Sequence, residues 1–179
     1  MQQDRMSTSR LARLARLALL TALALIIFVV EMQIPAVIPV PGVKLGLANI
    51  ITVYALYRYK GGEVFMIVLI RVLLGAVFGG NIMVLPFSMT GALVCLGGML
   101  ILRRFIDEKH IWIASIFGAV LHNIGQITAA IAVMKTTAVI AYLPILIFTG
   151  CAAGAFTGLT AQFVINKMSR NKAEDKPSD

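Results

Sequence analysis

Six apolar stretches, at 11–34, 43–59, 64–79, 83–102, 111–134 and 143–168, fill nearly the whole chain and leave only short polar gaps between them. A hydrocarbon core about 30 Å thick takes about 20 helical residues to cross, and most of these runs are close to that length. The second and third are the short ones. Backbone polar groups in lipid must be satisfied within their own segment, so such runs resolve as helices. Composition agrees, because 59% of the residues are hydrophobic and 13% charged, against roughly 25% charged in a soluble domain. The fold class expected is an all-α integral membrane protein built as a six-transmembrane-helix bundle.

Charge orients the bundle. Thirteen of the sixteen basic residues fall on one side: Arg5, Arg10, Arg13 and Arg16; Arg58 and Lys60; Arg103, Arg104 and Lys109; Lys167, Arg170, Lys172 and Lys176. Lys44 and Lys135 are the basic residues of the opposite side. The positive-inside rule makes the first side cytoplasmic, with both termini there and the protein multi-pass in the cell membrane. Residues 1–10 then form a cytoplasmic N-terminal segment, 11–168 the membrane domain, and 169–179 a polar, disordered cytoplasmic tail. The first span reads as an uncleaved helix, since its core is too long for a secretory signal and no small-residue cleavage pattern follows. The net charge of +8 serves topology and anionic lipid, not nucleic acid. Cys95 and Cys151 lie in separate spans without metal-ligand spacing and read as packing residues.

Between the first two spans, Pro35, Pro39 and Pro41 stiffen an apolar external segment, expected to fold back as a lid over the outer helix ends. Ala18 and Ala22, four apart on the first helix, let another helix approach closely. Gly150, Gly154 and Gly158 mark a similar close contact on the last helix, either inside the bundle or with a partner. Pro144 suits a first-turn position.

Polar groups sunk in lipid carry the functional signal, because they are unfavourable there unless they face a cavity or a partner. Arg71 stands in mid-span, with Gly75 and Gly79 following at fours. Its planar fork suits an acidic ligand group, and Glu31 or helix carbonyls are the structural alternatives. His122, Asn123 and Gln126 form a polar stripe on the fifth span. Lys44, Gly46, Asn49 and Thr52 begin the second span, with Glu31, Gln33 and Asn81 expected at the same outer level. The candidate substrate-binding residues are therefore Lys44, Asn49, Arg71, Asn81, His122, Asn123 and Gln126. Donors outnumber acceptors, which suits a small, partly apolar solute carrying an acidic oxygen. Candidates for catalysis are missing: the sequence has no P-loop, no paired aspartates for a metal-bound diphosphate, and no intramembrane acid for a hydrolytic triad. Neither an intrinsic cofactor nor a metal site is expected.

The strings Pro41-Gly42-Val43-Lys44-Leu45-Gly46-Leu47-Ala48-Asn49-Ile50, Arg71-Val72-Leu73-Leu74-Gly75 and His122-Asn123-Ile124-Gly125-Gln126 resemble the family labelled heptaprenyl diphosphate synthase component I, also called the Gx transporter family. The likeness runs from about Leu17 to about Met168. That family in turn is similar in architecture to the substrate-binding S components of energy-coupling-factor importers. The resemblance implies capture of a vitamin, flavin, quinone precursor or similar micronutrient outside the cell. It also implies partnership with a membrane coupling subunit and cytoplasmic ATPases, which use the ATP, and docking through Ala18 and Ala22. Without aspartate-rich motifs the synthase label does not imply catalysis by this chain. The alternative is a non-catalytic membrane subunit of isoprenoid or quinone synthesis, or of membrane electron transfer.

Overall fold

The computed structural model describes residues 2–33, 46–80 and 82–174. They form six α-helices, α1 (Gln2–Gln33), α2 (Asn49–Arg58), α3 (Gly61–Phe78), α4 (Leu85–Leu102), α5 (Ile111–Met134) and α6 (Leu143–Glu174), with single 3₁₀ turns before α4 and α6 and no strand among the described residues. Five of the helices are long and apolar enough to cross a membrane. Their outer faces carry large apolar side chains such as Phe78, Phe148 and Phe163 at 65%, 77% and 66% exposure. Water would penalise such a surface, whereas lipid does not.

The sixth expected span is the exception. α2 has 10 residues and a length of about 15 Å, half of what a crossing needs. Gly46 takes φ +70°, and the Asn49 and Ile50 amides bond back to the Gly46 and Leu47 carbonyls. The helix therefore starts at Asn49, six residues later than the apolar run suggested. Other boundaries also differ from the sequence reading, among them the start of α3, which is Gly61 in place of Val64. α1 begins at Gln2 and α6 continues to Glu174, so the polar flanks at both ends prolong the helices, as their Lys, Arg, Gln and Glu content favours. α4 starts at Leu85 after its 3₁₀ turn, with Pro86 in the first turn, and Pro144 holds the matching place in α6.

Helix directions follow from the contacts. Arg13 pairs with Glu63 at 2.6 Å, and a Cβ added at Gly75 or Gly79 would meet Phe28 or Met32, so α1 and α3 run parallel and the chain between them doubles back. At the end where α1 begins, Arg103 donates to the Leu56 carbonyl at 2.7 Å and Arg58 to Ser169 Oγ at 2.9 Å. Both ends of the described chain thus lie at one end of the bundle, together with most of the basic residues.

α4, α5 and α6 pack as an antiparallel sheet of helices, and small residues set the spacing. A Cβ on Gly125 would stand 2.9 Å from Gly91 Cα, one on Gly154 would stand 2.8 Å from Ile116 Cα, and one on Gly158 would stand 2.6 Å from Trp112 Cα. The glycine stripe of α6 is therefore occupied by α5 within the chain. Ser115 and Thr157 hydroxyls meet at 3.1 Å in the same seam. Gln162 closes its end: its side-chain oxygen accepts the Ile111 amide at 2.9 Å, and its nitrogen donates to the Glu108 carbonyl. It satisfies an N-terminal donor of α5 that the helix itself leaves open.

A solid core fills the basic end. Leu56, Val64, Ile67, Met99, Ile111 and Ile165 are all nearly or fully buried there. Toward the other end the helices diverge around a hollow.

Candidate functional site

The hollow has a volume of about 380 Å³, and all six helices or their entry turns contribute to its wall. Its apolar lining includes Phe28 and Met32 of α1, Val72 of α3, Val84 before α4, and Leu146 of α6. Glycines and alanines make room: Gly75, Ala76 and Gly79 on α3, Ala119 on α5, and Gly150, Ala153 and Gly154 on α6. Polar groups are few and come from different helices, namely Glu31, Asn49, Arg71, Ser88, His122, Asn123, Gln126, Thr149 and Thr157. Such a container, mostly apolar with a few placed polar groups, is how small-molecule sites are built.

Arg71 lies seven residues inside the C-terminal end of α3, a depth of about 10 Å. Its Nε is buried with no hydrogen-bond partner. Glu31 does not engage it as an ion pair among the described contacts. That carboxylate, 6% exposed, instead accepts the Gly46 amide at 2.5 Å, a charge-assisted bond that fixes the entry to α2 at the wall of the hollow. Of the two structural partners the sequence suggested for Arg71, Glu31 thus bonds the Gly46 amide through one oxygen while its charge still acts on the guanidinium.

The α5 stripe splits in role. Asn123, 8% exposed, donates through Nδ2 to the Leu146 carbonyl at 2.5 Å and so clamps α5 to α6. Gln126 keeps its side-chain oxygen buried without a partner. It lies eight residues inside the C-terminal end of α5, a depth of about 12 Å that is similar to that of Arg71. His122 faces the same hollow and crowds Gly91, whose Cβ would stand 3.0 Å from the imidazole Cε1.

Five of the seven residues singled out from sequence, Asn49, Arg71, His122, Asn123 and Gln126, thus share one cavity. Lys44 and Asn81, like the proline-rich segment around Lys44, lie outside the described residues. Ala18 and Ala22 are exposed on the outer face of α1, away from the hollow, whose α1 wall starts at Phe28. Sequence reasoning missed Ser88, Thr149 and Thr157 as lining residues and Gln162 as a cap. The hydroxyls look ordinary because Thr149 also bonds its own helix at Ile145. The signal for Gln162 was available, as it and Asn166 are two amides four apart in an apolar run.

The fold defines a multi-pass helical membrane protein with an internal, mostly apolar hollow that holds a few polar groups. The chain belongs to the heptaprenyl diphosphate synthase component I family, whose sequence pattern matches residues 20–164. Comparison with curated proteins and with solved structures gives no match.

Proposed function

We propose that this chain is the solute-capturing membrane subunit of an ATP-driven importer of the energy-coupling-factor type. In this reading the basic end, with both termini, is cytoplasmic. The sixth crossing is completed by α2 together with the residues that precede it. The hollow then lies in the outer half of the bundle, above a core that seals it from the cytoplasm. The observation that carries the proposal is this asymmetry of one cavity: packed at the basic end, hollow at the other, and holding an arginine whose Nε lacks a partner. A buried polar group without a partner destabilises the fold, so its retention fits a group reserved for a ligand.

The chain itself is proposed to be non-catalytic, since Asp107-Glu108 is its one internal acidic pair and lies in the turn at the basic end. ATP would be used by partner ATPases, reached through a membrane coupling subunit. The exposed small face around Ala18 and Ala22 suits close approach of a partner helix. The family's description favours a second reading, a membrane subunit serving prenyl diphosphate synthesis. Position weighs against it, because in this orientation the hollow faces away from the side where soluble synthases work.

ATP-dependent accumulation separates the two. Radiolabelled candidate micronutrients should accumulate in cells carrying this chain with its coupling module and not in cells lacking the chain. Uptake that is unchanged on deletion, with shortened or missing quinone side chains instead, would reject import in favour of the second reading.

A further inference from the structure

The hollow's unsatisfied groups specify a ligand more narrowly than its volume does. Arg71 on α3 and Gln126 on α5 both line it at comparable depth. Each has a buried atom without a partner, the guanidinium Nε of Arg71 and the amide oxygen of Gln126. The first is a donor that is charged and planar, matched to a carboxylate. The second accepts only, so it needs an N–H or O–H from whatever fills the space. Around them stand Phe28, Val72, Val84 and Leu146, which suit an apolar body.

Charge sets the upper limit. Arg71 is the one cation among the described lining residues, and Glu31 adds a negative charge to the same wall. A phosphate dianion or a diphosphate would leave uncompensated negative charge in an apolar enclosure, which is strongly unfavourable. A carboxylate monoanion brings the smallest excess of negative charge that an ionised acid can, and Arg71 can pair with it while Glu31 accepts the Gly46 amide.

We infer that the cavity takes a compact, partly apolar organic acid bearing an N–H or O–H donor, its carboxylate on Arg71 and its donor on the Gln126 amide oxygen. This inference rests on the solute-capture reading and assigns its substrate class. It predicts that neutral esters of the same acids are poor ligands.

The test uses the full chain in lipid nanodiscs and ligand-observed saturation-transfer NMR, which detects millimolar binding. The probes are indole-3-acetate, its methyl ester, 1-methylindole-3-acetate and phenyl phosphate. The acid should bind about 10- to 100-fold more tightly than the ester, the range for a hydrogen bond to a charged group. Arg71→Gln should abolish that preference and Arg71→Lys should keep part of it, with Gln126→Leu instead removing the difference between the acid and its 1-methyl analogue. Helix content by circular dichroism shows that each variant is folded. Lack of binding by the acid, equal binding of acid and ester, a preference that survives Arg71→Gln, or tighter binding of phenyl phosphate would each overturn the inference. None of these results touches the import reading, which stands or falls on ATP-dependent accumulation.

Discussion

Adding a single methyl group at Gly158 should loosen the bundle at a place where its consequence can be worked out and observed. The new Cβ would stand 2.6 Å from Trp112 Cα and 2.7 Å from Ser115 Cβ, whereas non-bonded carbons rest about 3.5–4.0 Å apart. One neighbour is backbone and cannot rotate away, so α5 and α6 must part by about 1 Å. Parting weakens the adjacent Ser115–Thr157 contact, now 3.1 Å, and overpacking of this kind costs about 1–3 kcal/mol. At roughly 2–4 °C per kcal/mol for a chain of this size, Gly158→Ala should melt about 2–12 °C below the parent protein. Trp112 is the one tryptophan of the chain and sits in the affected seam, so its fluorescence in mild detergent reports the transition. Gly97→Ala is the control, because a Cβ there meets nothing within 4 Å and helix propensity favours alanine by about 1 kcal/mol. Equal melting temperatures for Gly158→Ala and the parent, or equal losses for both variants, would refute the reasoning.

Removing the side-chain cap with Gln162→Ala leaves the fully buried Ile111 amide without its acceptor and should destabilise by about 1–3 kcal/mol in the same melting assay. Arg71→Met should leave thermal stability equal or higher, since a desolvated guanidinium with its Nε unsatisfied opposes folding, while abolishing stabilisation by indole-3-acetate in a ligand-shift assay. Ala18→Trp with Ala22→Trp changes only an exposed face, so melting should be unaltered while co-purification with the proposed coupling subunit is lost. Arg13→Ala breaks a surface ion pair and should change stability by less than about 1 kcal/mol in thermal melts.

The long helices were legible because an apolar run of spanning length has few other solutions in lipid. Their ends were not, since Gln2 and Glu174 lie in polar flanks whose helicity depends on propensity and not on burial. The shortness of α2 was hidden because Val43 to Ala48 are as apolar as the helix that follows, and the turn is set by Gly46 adopting positive φ. Convergence of Arg71 and the α5 stripe on one hollow agrees with the rule that polar groups in a span face inward. Asn123 shows the limit of that rule: its neighbours His122 and Gln126 are of similar polarity, yet its amide is committed to the Leu146 carbonyl. Sequence spacing places a side chain on a face and leaves open which backbone carbonyl waits across the seam. The α6 glycines had two readings for the same reason, and the close approach of α5 at Gly154 and Gly158 selects packing within the chain.

The central claim is that the hollow holds a solute. It is tested most directly by purifying the full chain from its own membranes in mild detergent and identifying small molecules released on denaturation by mass spectrometry. A single organic acid in amounts comparable with the protein, absent from a folded Arg71→Gln preparation, is the predicted result. Recovery of lipid alone from both preparations would contradict it.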